Sequence, residues 1–258
     1  MRQRTMEWII AVVLAILLGY LTWEEMYGPP PAQLTPGSRK RLCDYYASGS
    51  VFEDIPSALK RGARLIELHV YSDERDEPVV AKKALNDGYD YTLDNISFEQ
   101  CCIDIVNDAF PSKDPLILSI VPHTDKSVVL NRIASHLQTT VRRHLIKDKD
   151  IASTPIDTLA DKLIVVSGGN IHGTDLEKLV NLSWSETTLR RLTHHQAIHP
   201  REEDELTNYN RDNITLVAPE VELGAVVANP NTPVTFGCQW NVYVHGPGGF
   251  IEKPAKLQ

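Results

Sequence analysis

The chain has 258 residues, of which 42% are hydrophobic and 23% are charged, a composition typical of a globular protein with room for one large α/β domain. Its formal net charge is −8 and its pI is about 5.6. This balance excludes a global basic field that could hold nucleic acid or an anionic membrane by charge alone, so we expect no nucleic-acid partner.

The first element in chain order is an apolar segment at residues 8–23, which Arg2 and Arg4 precede. Its sixteen residues fall just short of the roughly 17–25 of a spanning helix, and aromatic residues at its ends suit a membrane interface. A cleaved signal peptide is the alternative, but no small-residue cleavage site follows. We therefore predict a transmembrane signal-anchor helix at 8–23.

The predicted anchor defines the organisation of the rest. The positive-inside rule places residues 1–7 in the cytosol as a short tail. Residues 24–41 form a proline-rich linker, and residues 42–258 form the folded domain on the non-cytosolic side. The same topology would suit the membrane of a particle such as a virion.

Strand and helix patterns alternate beyond the linker. Continuous apolar runs predict buried strands, and apolar residues at three- and four-residue spacing predict amphipathic helices. The predicted strands cover residues 64–70, 78–81, 115–121, 162–166, 214–217, 224–228 and 236–245, and the predicted helices cover 52–61, 97–110, 126–146 and 185–192. This alternation favours a parallel sheet covered by helices, and a closed (β/α)8 barrel satisfies it.

Several segments, read in order, resemble the phosphoinositide-specific phospholipases C. "SALKRGARLIEL", an acidic hairpin and "EPVV" are similar to the family's second helix and strand pair. Further similar segments are residues 97–141, "STPIDTLADKLIVV", residues 206–220 and residues 234–244, which include the family's Gly237-Cys238-Gln239. The resemblance implies a distorted (β/α)8 TIM barrel of the phospholipase C-like phosphodiesterase type, with halves at about 42–146 and 153–250. Glycerophosphodiester phosphodiesterases share the hairpin and are the alternative family.

The resemblance implies a set of catalytic positions. In that family calcium lowers the pKa of the inositol 2-hydroxyl, a carboxylate acts as base, and a histidine protonates the departing glycerol oxygen. The first histidine, which follows the first strand of the family, falls at Cys43, the second at Ala84, and the base at Val121. The phosphate-clamping lysines, an arginine and a stacking tyrosine fall at or near Val166, Gly168, Leu216 and Ala218.

The metal-binding positions are partly kept. The family's calcium-binding asparagine falls at Asp44, and its Glu-x-Asp pair becomes Glu67 and His69. Calcium disfavours the imidazole, whereas carboxylate and imidazole together suit transition metals. Asp44, Glu67 and His69 are therefore a candidate divalent-metal site, and His123 is a candidate general base. The alternative for the three candidate metal ligands is a set of polar residues left at the barrel mouth without a metal. The alternative for His123 is a structural role.

A second histidine cluster comprises His194, His195 and His199. Its spacing suits a metal-binding face of a helix, but Pro200 and the charged segment 201–205, which reads "REEDE", favour an exposed helix end followed by a solvated loop.

These replacements predict a loss of catalysis. General acid–base help contributes roughly 10²–10⁴-fold for each group, so the loss of two histidines and a base is not easily compensated. The prediction is a membrane-anchored phospholipase C-like pseudoenzyme without a cofactor, with a structural or protein-binding role in a larger membrane-associated assembly. The alternative is an active, divergent phosphodiesterase on phosphoinositide or glycerophosphodiester head groups, using calcium or another divalent metal. Substrate-binding residues are not predicted.

Overall fold

A computed structural model describes residue 34 and residues 37–51, 54–81, 95–219, 232–243 and 249–258. Within these ranges no helix combines the length and the apolar character needed to cross a bilayer. The predicted anchor at 8–23, the predicted strand at 224–228 and Ala84 lie outside the described residues.

The described strands belong to one sheet. In chain order they are β1 (Tyr45–Val51), β2 (Leu65–Ser72), β3 (Pro78–Val80), β4 (Ile96–Ser97), β5 (Leu116–Pro122), β6 (Leu163–Ser167), β7 (Leu182–Ser183), β8 (Leu189–Thr193), β9 (Ile214–Ala218), β10 (Trp240–Tyr243) and β11 (Phe250–Glu252). Eight of them pair in the order β7-β6-β5-β2-β1-β10-β9-β8, and every pairing along this path is parallel. The result is a nearly closed parallel barrel, as the alternating pattern predicts.

Helices cover the outside of this barrel. They are α1 (Ile55–Lys60), α2 (Phe98–Asp108), α3 (Ser127–Thr140), α4 (Asp175–Leu179), α5 (His194–Ile198), α6 (Glu203–Asp212) and α7 (Thr232–Thr235). Short 3-10 turns lie at Leu42–Asp44, Arg142–His144, Ile151–Ser153, Ile156–Leu159 and Ala255–Leu257. The starts of α1 and α2 follow from local chemistry, because the side chains of Asp54 and Ser97 accept hydrogen bonds from backbone N–H groups of the first turns.

The side chains of each strand alternate between two cores. Ile66 and Leu68 of β2 pack outward with Ile105 and Leu130 of the covering helices. The opposite face of the strands fills the barrel interior with residues such as Leu65, Ile117, Val166, Leu216 and Trp240. Each fully buried aliphatic side chain contributes roughly 1.5–3 kcal/mol relative to exposure, so these two layers supply most of the driving force.

A buried polar cluster joins the start of the barrel, at Cys43, to its closing segments at the base of the barrel. The Gln239 side-chain amide donates to the carbonyl oxygens of Cys43 (3.2 Å), Asn210 (2.6 Å) and Asn213 (2.8 Å). The Lys253 ammonium donates to the same oxygens of Cys43 (3.0 Å) and Asn210 (2.6 Å), and burial lowers the pKa of Lys253 to about 8. The Gly-Cys-Gln segment therefore has a structural role here.

Two predicted elements are wrong. Residues 185–192 were expected to form a helix, but Leu189–Thr193 is strand β8, which pairs with β9 from Leu189 opposite Ile214 to Thr193 opposite Ala218. Leucines three residues apart imitate a helical face, and pairing with β9 overrides that signal. Residues 203–205, expected in a solvated loop, begin α6, because acidic side chains stabilise the first turn of a helix.

Strand β1 was not predicted, because its small residues lack an apolar run. Gly49 lies opposite Leu65 of β2, and a Cβ at Gly49 would overlap the Leu65 carbonyl oxygen and Cβ. The close approach of β1 to β2 therefore requires glycine at this position.

We expect Gly49→Ala to lower the free energy of unfolding by about 1–3 kcal/mol, because the new methyl group must displace the backbone of β2. Urea denaturation followed by circular dichroism measures this change. Ser48→Ala, one residue earlier in the same strand, serves as the control and should change stability by less than about 1 kcal/mol. Equal midpoints for the Gly49→Ala variant and the native chain would contradict the described register.

Candidate functional site

The polar side chains inside the barrel come from three strands. Glu67 and His69 are on β2, Ser119 is opposite Glu67 on β5, and Arg191 is on β8. β2 and β8 are four positions apart along the eight-strand path, so they form opposite walls of the barrel. The interior cluster therefore crosses the whole barrel.

An ion pair between Glu67 and Arg191 forms the centre of this cluster. Arg191 donates from Nη1 to Glu67 Oε2 (2.6 Å) and from Nη2 to Oε1 (3.0 Å), and Ser119 Oγ donates to Oε2 (2.9 Å). Glu67 is 2% exposed. Burial alone would raise the pKa of Glu67, but the charge of Arg191 and hydrogen bonds from His69 and Arg191 lower it to about 2. The carboxylate is thus held ionised.

Two histidines extend this cluster toward solvent. His69 Nε2 lies 3.3 Å from Glu67 Oε1, and His69 Nδ1 lies 2.8 Å from His123 Nε2. If His69 donates its Nε2–H to the carboxylate, its Nδ1 accepts a hydrogen bond from the Nε2–H of His123. The ring of His123 stacks on Tyr71 at a centroid distance of 4.4 Å. The predicted base His123 therefore adjoins His69 in a hydrogen-bonded chain from the buried carboxylate to the exposed mouth.

Asp44 does not join Glu67 and His69, which corrects the predicted three-ligand metal site. Val51, the last residue of β1, pairs with Glu67, whereas Asp44 precedes the first residue of the strand. Seven extended residues place Asp44 roughly 20 Å away, toward the opposite end of the barrel. The Asp44 carboxylate is bound there by Arg41. Within the described ranges, no three His, Cys, Asp or Glu side chains are grouped so that they could hold a metal.

Cys43 also lies at the wrong end for the role that the resemblance implies. The family's first histidine follows the first strand, whereas Cys43 precedes β1. The position after the strand begins at Val51 and continues into residues 52–53, which lie outside the described residues. Burial raises the pKa of the Cys43 thiol to about 11, so it is protonated and weakly nucleophilic at neutral pH.

Val121 lies at the mouth of the barrel. It pairs with His69 across the β2–β5 ladder, at the level of the histidine chain. An isopropyl group cannot accept a proton, so this position on β5 has no base. The second histidine position, Ala84, is outside the described residues.

The positions of the phosphate-clamping lysines are closed by packing. A Cβ at Gly168 would overlap the indole ring of Trp184. The guanidinium of Arg191 lies over the same indole ring at 5.1 Å. Val166 is buried in the interior, and Leu216 and Ala218 are buried with it. Trp184 and Arg191 thus occupy space that longer polar side chains would need.

The described residues of the barrel interior do not fit calcium. Calcium takes six to eight oxygen ligands. Of the calcium ligands that the resemblance implies, Glu67 is the carboxylate found in the described barrel interior. Both of its oxygens already accept hydrogen bonds, and the partner is a cation. A divalent ion at this carboxylate would have to displace Arg191 against charge repulsion.

Sequence reasoning missed Arg191, because a helix was predicted over residues 185–192, and it gave no role to Trp184, which immediately precedes that segment. The available signal was the alternation in "LRRLT", where a single arginine on each face of a strand predicts one inward-pointing charge. An isolated inward arginine requires a carboxylate partner, and Glu67 was the buried acid available.

Comparisons with known proteins agree with this architecture. Residues 42–166 match the family model of the phosphatidylinositol-specific phospholipase C X domain. PLC21 of S. officinalis superimposes with a TM-score of 0.68 at 15% identity, over 86% of this chain and 38% of that one. This chain likewise covers 34% of L. pealei PLC21. No curated protein sequence matches significantly.

Smaller bacterial proteins match over nearly their whole length. The calcium-dependent phosphoinositol-specific phospholipase C of Pseudomonas sp. gives a TM-score of 0.55 at 11% identity, over 87% of this chain and 99% of that one. The phosphatidylinositol-specific enzyme of Streptomyces antibioticus gives 0.54 at 10%, over 80% and 95%. At these identities the likeness shows the fold.

Removing either partner of the interior ion pair should destabilise the barrel. We expect Glu67→Gln and Arg191→Met each to cost about 3–5 kcal/mol, because each leaves a desolvated partner uncompensated, and the double variant to cost less than their sum. Urea denaturation measures all three. Lys178→Met, which breaks the exposed pair with Asp175, is the control and should cost less than about 1 kcal/mol. Strictly additive losses would refute the coupling.

The same pair predicts a pH dependence. The pKa of Glu67 is about 2 in the folded chain and about 4.3 when unfolded. Its contribution to stability is therefore complete above about pH 4.5 and is lost as pH falls toward 2. The stability difference between the native chain and Glu67→Gln, measured by denaturation at a series of pH values, should shrink over this window. A difference that stays constant would contradict the lowered pKa.

Proposed function

Residues 42–166 belong to the X-domain family of phosphatidylinositol-specific phospholipases C, and from this premise we propose that the chain is a catalytically inactive member. It acts as a structural or protein-binding module without a cofactor. Residues 8–23 anchor it in a membrane, with the N-terminus in the cytosol and the barrel on the opposite side. Its partner is a protein of a membrane-associated assembly, not nucleic acid.

The observation that carries this proposal is the bidentate pair of Glu67 and Arg191. The guanidinium supplies the positive charge that the carboxylate needs, and it does so without an open coordination position. A bound calcium ion would offer such positions to a phosphate oxygen and a hydroxyl group. The interior is therefore neutralised in a form that supports folding and not phosphoryl transfer.

The surrounding positions support the same conclusion. Val121 lies on β5 at the mouth, where the resemblance implies the carboxylate base. Trp184 packs against Gly168, the position at which the resemblance implies a phosphate-clamping lysine. Each replacement removes a separate contribution, and acid–base help alone is worth roughly 10²–10⁴-fold for each group.

A second candidate function rests on the chain of Glu67, His69 and His123. A carboxylate that orients a histidine is a general arrangement for base catalysis. A divergent metal-dependent phosphodiesterase on phosphoinositide or glycerophosphodiester head groups would use it. His123 is exposed at the mouth, within reach of solvent.

Turnover separates the two functions. We expect the full-length chain to release no inositol phosphate from phosphatidylinositol vesicles, and no product from glycerophosphodiesters, with calcium, manganese or zinc present. The signal should match that of Glu67→Gln and His123→Ala. Metal-dependent release that disappears in both variants, but persists in the exposed-site control His172→Ala, would establish the phosphodiesterase instead.

The anchor is tested by fractionation. We expect the full-length chain to remain with membranes after a high-salt wash and to be released by detergent, because an apolar segment and not charge holds it. Deletion of residues 1–33 should move the barrel to the soluble fraction. Retention of the deleted form on membranes after the salt wash would contradict an anchor at residues 8–23.

A further inference from the structure

A pair of histidines lies on the outer surface of the barrel, away from the ion pair. β8 presents Arg191 to the interior, and its neighbours Arg190 and Leu192 line an outer cavity of about 670 Å³ with α5 and the start of α6. His195 and His199 line this cavity, and both are exposed. The cavity belongs to none of the positions that the family resemblance implies.

The backbone holds these two histidines on one face. They are four residues apart, and the His199 N–H donates to the His195 carbonyl oxygen (3.2 Å), so one turn of helix separates them. Their ring centroids are 4.9 Å apart with an interplanar angle of 60°. For a Zn–N distance of about 2.0–2.1 Å and tetrahedral angles, two imidazoles that share an ion have centroids about 5 Å apart. The observed centroid separation therefore matches that of two rings that share one ion.

Two neighbouring side chains, Gln196 and Glu205, are already engaged in other hydrogen bonds and are not free to bind a metal ion. The Gln196 side-chain oxygen accepts from Thr193 N–H (2.9 Å) in a capping box, so this amide is held at the helix start. Glu205 is bound by Arg190 through two hydrogen bonds of 2.9 and 3.1 Å. Glu202 also lines the cavity, but no group of three such ligands forms among the described residues, so the two imidazoles are the paired ligands of this face.

The two histidines have the spacing of a known zinc-binding motif, but the glutamate that acts as general base in that motif is replaced. Zinc helices of the form H-E-x-x-H bind the metal through two histidines four residues apart and use the glutamate as general base. Here the segment reads His195-Gln196-Ala197-Ile198-His199, so an amide replaces the base. An amide cannot accept a proton at neutral pH, so the spacing serves binding and not hydrolysis.

We propose that His195 and His199 bind one divalent transition-metal ion of the zinc class on the outer surface of the barrel. Imidazole nitrogen suits Zn²⁺, and open coordination positions are filled by water or by a ligand from outside the chain. The site is independent of the barrel interior and of its catalytic state.

Zinc titration of the full-length chain by isothermal calorimetry tests this site. We expect binding that His195→Ala and His199→Ala each weaken at least tenfold, and that His172→Ala, an exposed histidine beside Glu177, leaves unchanged. Cobalt substitution should give a visible absorption band that both variants lose.

Both variants remove exposed rings, so they should unfold at the same temperature as the native chain in the presence of a chelator. No calorimetric binding up to about millimolar zinc would overturn the proposal. So would zinc affinity that is equal in the native chain and in both variants, because the metal would then lie elsewhere.

Discussion

In the part of the barrel that the structure describes, the interior depends on the charge compensation between Glu67 on β2 and Arg191 on β8. The partners are 124 residues apart in the chain and come from opposite walls. A carboxylate in an apolar interior costs several kcal/mol of desolvation unless a positive group accompanies it. The planar guanidinium meets this requirement with two parallel hydrogen bonds, so it connects the two halves of the fold across the barrel.

The same interaction links stability to chemistry. A metal ion and an arginine can each neutralise one carboxylate, but they differ in whether coordination positions stay open beside it. A bound ion would leave coordination positions open for a substrate. Arg191 instead directs its N–H donors to Glu67, and its guanidinium lies over the indole ring of Trp184. Trp184 in turn packs against Gly168. The charge compensation at Glu67 and the packing of Trp184 against Gly168 are therefore linked through Arg191.

Elements with a strong local signal were predictable. The apolar runs at 115–121 and 162–166 agree with β5 and β6 to within one residue at each end, because continuous burial on both faces leaves little alternative. Elements that form only because neighbouring strands pair with them were not predictable from the sequence. The small residues of β1 form a strand because β2 and β10 flank it, and β8 is a strand because β9 pairs with it. The error at Cys43 and Asp44 has the same source, since a missed β1 shifts the alignment by the length of a strand.

The sequence alone determined the barrel class and the identities of Glu67 and Val121, because residue identity and hydrophobic periodicity are local properties. Only the tertiary structure decided what surrounds Glu67. It brought Arg191 to the carboxylate, separated Asp44 from it and placed His123 against His69. These relations depend on strand order and register, which set distances between residues that no local pattern connects.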